Sequence, residues 1–204
     1  MLVFGLMIAL GGTLSAQTFS INGFGGYNFP DQVNFGNVYG KIHDGGFWGV
    51  SAEGISRQGH GIELLYQQQN TSVPLYTYNG GLPANKDKDG AVISYVMLNG
   101  IQYMEGNDHV LPYGGLGIGV GIVSPESGTS SSKFAWDLKL GVKFKPSSTI
   151  GIKIQAQLFS IVQASGGGFY VGTGGGGVGV STYSSIYQFG FMGGLTFDFE
   201  KGRK

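Results

Sequence analysis

His43 is followed directly by Asp44, and Asp31 precedes both in one polar stretch. A histidine beside a carboxylate is the start of a general-base pair, with the acid orienting the ring. Acyl transfer by such a pair also needs a nucleophile at a fixed place, and no serine pattern supplies one. His60 and His109 each stand alone beside a short polar stretch. A second candidate is GGLGIGVG, residues 114–121, which looks like a phosphate-cradling loop. That chemistry requires a helix opening at the glycines and an acidic residue about twenty positions on. Here the glycines alternate with Leu, Ile and Val and no helical pattern follows, so they read as small side chains on one face of a strand. The third candidate, GGGFYVGTGGGGVGVS at 166–181, has no charge with which to hold an ion tightly and reads as an adaptable loop. No catalytic residue, cofactor site or metal site is assigned, and the expectation is a protein that is not an enzyme.

Composition narrows the remaining classes. The 204 residues include twelve Lys and Arg, twelve Asp and Glu, 40 Gly and no Cys. That is about half the charged share of an ordinary soluble domain. Balanced, sparse charge also excludes a nucleic-acid binder, which needs clustered Lys and Arg. The first sixteen residues, MLVFGLMIALGGTLSA, are apolar and end in small residues, and they are too short to span a bilayer as a helix. They read as a signal peptide over 1–16 cleaved before Gln17, although no Lys or Arg precedes them.

Beyond the leader the chain alternates apolar and polar residues in eight stretches, the period of a strand with two unlike faces. In the first, Phe19, Ile21, Tyr27 and Phe29 oppose Ser20, Asn22, Gly26 and Asn28, with Phe24 as the misfit. Trp48, Val50 and Ala52 then oppose Gly49, Ser51 and Glu53. Ile62, Leu64 and Tyr66 oppose Glu63, Leu65 and Gln67. In the fourth, over 91–104, the apolar face is read as Ile93, Tyr95, Met97, Ile101 and Tyr103, which Asn99 interrupts. The fifth sets Val110, Leu116, Ile118, Val120 and Ile122 against Gly115, Gly117, Gly119 and Gly121. The sixth sets Phe134, Trp136, Leu138, Leu140, Val142 and Phe144 against Lys133, Ala135, Asp137, Lys139, Gly141 and Lys143. Ile150, Ile152, Ile154, Ala156 and Leu158 oppose Gly151, Lys153, Gln155 and Gln157. In the last, Tyr187, Phe189, Phe191, Leu195, Phe197 and Phe199 oppose Gln188, Gly190, Gly194, Thr196 and Asp198. Short polar turns are expected at 56–59, 105–108 and 145–148, and long connections at 30–45, 70–90, 123–132 and 161–183. Long follows odd and short follows even, so all the long connections gather at one end.

A soluble sandwich or barrel would turn the apolar faces inward, and a membrane barrel would turn them outward. The polar faces here carry Gly, Ser, Gln and Asn with few charges, unlike a soluble surface. The apolar faces run five or six residues, matching a tilted crossing of the hydrocarbon layer. Aromatic residues gather near strand ends (Tyr27, Phe29, Trp48, Tyr66, Tyr103, Phe134, Phe144, Tyr187, Phe197 and Phe199), as interfacial girdles do. The fold expected is all-β: an eight-stranded antiparallel up-and-down transmembrane β-barrel over 17–199, with short periplasmic turns, long extracellular loops and a polar tail at 200–204. Closure follows from hydrogen bonding, because an open sheet edge in lipid leaves backbone groups unpaired at several kcal/mol each. The interior is expected to hold a polar cluster of Glu53, Glu63, Asp137, Lys139 and Lys153, near balance in sign. In an eight-stranded barrel such groups fill the lumen as a plug, with a narrow conduit as the alternative that the inward glycines 115, 117, 119 and 121 favour.

The leader ending SAQ, the strand PYGGLGIGVGI at 112–122, FAWDLKLGVKF at 134–144 and FGFMGGLTFDF at 189–199 resemble the small bacterial outer-membrane barrels of the OmpA/OmpX type, in the outer-membrane protein β-barrel domain family. The SAQ ending is similar to those common in Bacteroidetes. The resemblance implies a protein of the cell outer membrane with both termini periplasmic, in contact with outer-membrane lipid and lipopolysaccharide, and inserted by the barrel-assembly machinery. It implies Phe199 as the closing aromatic which that machinery reads, although EKGRK at 200–204 makes the signal internal. The function expected is structural or surface-interacting through the loops, toward a surface partner or a larger membrane complex. Phe169, Tyr170 and Val171 offer contacts there. A small porin, or a carrier for small or hydrophobic solutes, is the alternative.

Overall fold

The computed structural model describes residues 18–35, 38–42, 44–72, 75–77, 90–104, 109–125, 130–163 and 184–200. The expected leader at 1–16, the tail beyond Glu200, the glycine-rich segment 166–181, the expected turn at 105–108 and His43 lie outside the described residues. Eleven strands follow one another in those segments: β1 (Thr18–Asn28), β2 (Asp31–Phe35), β3 (Val38–Ile42), β4 (Gly45–Ile55), β5 (His60–Ser72), β6 (Leu75–Thr77), β7 (Gly90–Tyr103), β8 (Val110–Pro125), β9 (Ser131–Phe144), β10 (Ile150–Gln163) and β11 (Ser184–Glu200). Eight of them close into a barrel in the order β1-β11-β10-β9-β8-β7-β5-β4, with β4 returning to β1. Every neighbouring pair in the ring is antiparallel. The eight-stranded antiparallel barrel expected from the alternation is therefore the fold.

The turns at 56–59 and 145–148 stand at one end with the start of β1 and the close of β11. At 56–59 the reversal is tight: Gly59 adopts φ 81°, a left-handed conformation open to glycine at little cost, and its amide donates to the Ser56 carbonyl at 3.1 Å. The described residues of two expected long connections include strands. β2, β3 and β6 form a separate three-stranded sheet at the other end, with Asp31 opposite Ile42 and Val38 opposite Thr77. The third, expected over 123–132, is shorter than that. β8 runs to Pro125 and β9 opens at Ser131, with Val123 opposite Ser131. Ser131 and Ser132 look like loop residues by type, but a ladder partner decides strand membership more than propensity does.

The faces are those of an inverted globule. On β9, Leu138 and Leu140 lie on the outside while Asp137, Lys139 and Lys143 are buried within. Leu116 is 67% exposed and Lys139 only 1%. The misfit of the first stretch, Phe24, points into the lumen. In the fourth stretch the expected faces are reversed. Ile93, Tyr95, Met97, Ile101 and Tyr103 are buried inside, and Val96 and Leu98 are exposed outside. The register explains it. Glu63 stands opposite Asn99 and Leu65 opposite Met97, and opposite residues in an antiparallel ladder share a face. Glu63 is held inside by its ion pair, so Asn99 and every alternate residue of β7 follow it inward. Tyr103 is thereby removed from the aromatic girdle and belongs to the interior.

Candidate functional site

The lumen is the densest collection of polar chemistry among the described residues, and it is layered. Nearest the short turns, Lys153 Nζ donates to Glu53 Oε2 at 2.6 Å. The Tyr103 hydroxyl donates to the same carboxylate, 2.9 Å from Oε1 and 3.1 Å from Oε2. The Lys153 ammonium also sits 5.1 Å above the Tyr113 ring and 5.8 Å above the Tyr103 ring, within cation–π range. Beside this group, Lys143 Nζ and Ser20 Oγ donate to Asp198 Oδ1 at 2.7 and 2.6 Å, with Lys145 Nζ 3.6 Å from Oδ2. Ser20 and Asp198 lie opposite each other across the β1–β11 pair.

The next layer centres on Glu63. Its Oε2 accepts from Lys139 Nζ at 2.7 Å and Asn99 Nδ2 at 2.9 Å. Its Oε1 accepts from Ser51 Oγ at 2.7 Å, and Ser51 Oγ in turn accepts from Asn22 Nδ2 at 2.9 Å. Lys139 is shared with Asp137, whose Oδ2 is 3.4 Å away. Farther along, amides take over: Tyr113 donates to Gln155 (2.9 Å), Gln155 to Gln157 (3.1 Å) and Gln157 to Gln67 (3.0 Å). Toward the long-connection end, Tyr95 donates to Gln188 at 2.7 Å, and Asn28 donates to Gln69 at 2.7 Å. An apolar cluster including Phe24, Phe47, Leu65, Ile93, Met97, Phe159, Ile161 and Met192 fills the space between and beyond these amides. Within it Tyr95 stacks on Phe159 with ring centroids 4.5 Å apart.

All five residues read from the sequence as a polar cluster are buried in the lumen, in two groups. Glu53 and Lys153 pair with each other, and Glu63, Asp137 and Lys139 form the second set. Lys143 and Asp198 complete the ionic system and were missed. Both lie on polar faces of the alternation, so strand phase was the signal that could have found them. His60 and His109 are exposed beside the short turns, away from the layered interior. Asp44 receives a hydrogen bond from the Tyr27 hydroxyl at the long-connection end. Among the described residues no group of three or more His, Cys, Asp or Glu side chains is arranged to hold a metal ion.

The inward glycines do not leave open space. A Cβ on Gly117 would collide with Asn99 Oδ1 and stand 2.6 Å from Asp137 Oδ1. One on Gly119 would meet Met97 Sδ at 2.8 Å, and one on Gly121 would meet Ile161 Cδ1 at 2.9 Å. Glycine on β8 makes room for large side chains arriving from β7, β9 and β10. Gly117→Val is therefore expected to cost about 1–3 kcal/mol or more through overpacking, measured as a lower urea midpoint in lipid vesicles. Gly23→Ala, whose Cβ would meet nothing within 4 Å, is expected to stay within about 0.5 kcal/mol of the parent. Equal losses in the two variants would show that the interior has slack.

Comparison with solved structures places this architecture. The crystal structure of the outer membrane protein OprG from Pseudomonas aeruginosa is 16% identical, with a TM-score of 0.64 over 91% of this chain and 97% of that one. The fold is that of the small outer-membrane β-barrels. Neisserial surface protein A is 12% identical at a TM-score of 0.59, over 90% of this chain and 97% of its own. Ail, the attachment invasion locus protein of Yersinia pestis, was crystallised with the heparin analogue sucrose octasulfate. It is 14% identical at a TM-score of 0.53, over 89% and 97%. At these identities the likeness is one of fold. No protein-family model matches the chain, and no curated protein matches it.

Proposed function

We propose that this chain is an integral outer-membrane protein, not an enzyme, whose barrel is plugged by its own side chains. It acts as a structural or surface-interacting element through its long-connection end. One observation carries the reading: large apolar side chains cover the outside while lysines and carboxylates are paired within. Water could not solvate such an exterior without a large apolar penalty, whereas acyl chains solvate it freely. The plug follows from the filled space over the β8 glycines and from the apolar cluster, which offers an ion no hydration on its way through. In this arrangement the short turns and both termini face the periplasm. The sheet of β2, β3 and β6, with the neighbouring connections, faces outward toward lipopolysaccharide, a surface partner or a larger membrane complex. Heat-modifiability tests it: the protein in outer-membrane fractions should run as a folded, SDS-resistant band that shifts on boiling. Recovery only from soluble fractions would overturn the membrane assignment.

A small porin, or a narrow channel or carrier for small or hydrophobic solutes, is the second reading. Its support is the apolar lining of the lumen toward the long-connection end. Planar-bilayer recordings of the purified protein separate the two. The plug predicts no reproducible unitary conductance steps, and discrete channels would replace it with the porin reading.

A further inference from the structure

One level of the lumen is a hydrogen-bond donor short. Glu63, Asn99, Gly117, Asp137 and Phe159 stand opposite one another in turn on β5, β7, β8, β9 and β10, and opposite residues in a ladder share a face. Gly117 has no side chain to keep its two neighbours apart. The place its Cβ would take is in contact with both Asn99 Oδ1 and Asp137 Oδ1. Both side chains are buried, and neither of these oxygens receives a hydrogen bond. Two acceptors therefore meet over one glycine, an arrangement that costs free energy in a buried site. Turning the Asn99 amide does not mend it. Nδ2 would then serve Asp137, but Oδ1 would face Glu63 Oε2, which now accepts from Nδ2 at 2.9 Å.

Charge gives the same count. The charged groups facing Asp137 are Lys139 on its own strand and Glu63 on β5, so two carboxylates share one ammonium. β7, β8 and β10 bring the neutral Asn99, Gly117 and Phe159, and Lys153 of β10 is paired with Glu53 of β4. Lys139 gives its hydrogen bond to Glu63 at 2.7 Å and stands 3.4 Å from Asp137 Oδ2, which accepts none. Glu63 is fully served, by Lys139 and Asn99 on Oε2 and by Ser51 on Oε1. A proton entering this level would displace a donor at Glu63, whereas at Asp137 it supplies the one that is missing.

We propose that Asp137 and Asn99 form a buried proton-binding site over Gly117. On acidification Asp137 takes up one proton from water and donates it to Asn99 Oδ1, which ties β9 to β7 across the glycine. The level then holds one ammonium, one carboxylate and one neutral acid, and its charge balances. The barrel tightens at a level where its own side chains fill the lumen.

The test compares urea titrations of the refolded full chain and of Asp137→Asn in lipid vesicles, between about pH 8 and pH 5, where exposed carboxylates stay ionised. Asparagine carries at Nδ2 the donor that the carboxylate lacks. The variant is therefore expected to reach the SDS-resistant form and to be at least as stable as the parent at the alkaline end. Relative to the variant, the parent's folding constant should rise on acidification, by up to about tenfold per pH unit while the folded state holds one proton more than the unfolded. Infrared spectra over the same range should show the parent gaining a protonated-carboxyl band that shifts in heavy water and is absent from Asp137→Asn. Parallel pH profiles for the two proteins, or the same carboxyl band in both, overturn the proposal. Failure of Asp137→Asn to fold overturns it too, because asparagine would satisfy the site without a proton.

Discussion

Lys139→Met is expected to destabilise the barrel by about 3–5 kcal/mol, the cost of breaking a buried ion pair from one side. Lys139 Nζ lies 2.7 Å from Glu63 and 3.4 Å from Asp137, and all three side chains are buried. Methionine keeps much of the stem and removes the charge, so two carboxylates are left facing each other with no cation between them. Combining Lys139→Met with Glu63→Gln should recover part of the loss, because one of the two stranded charges is gone and the glutamine keeps an acceptor for Asn99. Urea titration in lipid vesicles, followed by the fluorescence of Trp48 and Trp136, reads both variants. A single variant as stable as the parent would mean that the lumen is wet enough to screen these charges, and the plug would have to be abandoned.

Leu116→Arg is the second large effect, and it examines the opposite surface. Leu116 points outward on β8, directly across from Leu138 on β9. On the lipid face near mid-membrane an arginine costs about 2–4 kcal/mol. On a water-facing sheet the same change would stay within about 0.5 kcal/mol. The two cases differ by enough to separate them in one vesicle titration, or in the fraction of protein reaching the SDS-resistant form. A neutral outcome would refute the inside-out reading even if every hydrogen bond in the lumen were correct.

Most of the fold was legible because a period of two is a local property. Seven of the eight alternations place their faces as the residues imply, since on each of those strands one face is decidedly more polar. The fourth was unreadable locally because both faces of β7 are rich in apolar residues: Val92, Val96 and Leu98 on one, Ile93, Met97 and Ile101 on the other. What sends the second set inward is remote. The Tyr95 hydroxyl reaches Gln188, that of Tyr103 reaches Glu53, and Asn99 reaches Glu63. A tyrosine counted as apolar has a polar tip, and only the partner shows which end matters. Asn99 was the one local clue, and it was read as an interruption of the apolar face when it marked the polar one. The β8 glycines are ambiguous in the sequence for a similar reason: a missing side chain reads as space until its neighbours are known. In the lumen, sequence phase identified which residues face inward but could not tell which lysine meets which carboxylate, because their partners lie on different strands.

The seam between β1 and β11 has a consequence for assembly. It joins the first described strand to the last in an unbroken register from Thr18 opposite Glu200 to Asn28 opposite Gly190. The bond from Ser20 to Asp198 spans 178 positions of the chain. No sub-assembly made from the earlier strands can zip this joint, and until β11 arrives both free edges of the nascent sheet carry unpaired amides and carbonyls. Closure thus needs both ends of the chain together, and Lys143 and Ser20 act as a latch whose keeper, Asp198, sits on the last strand.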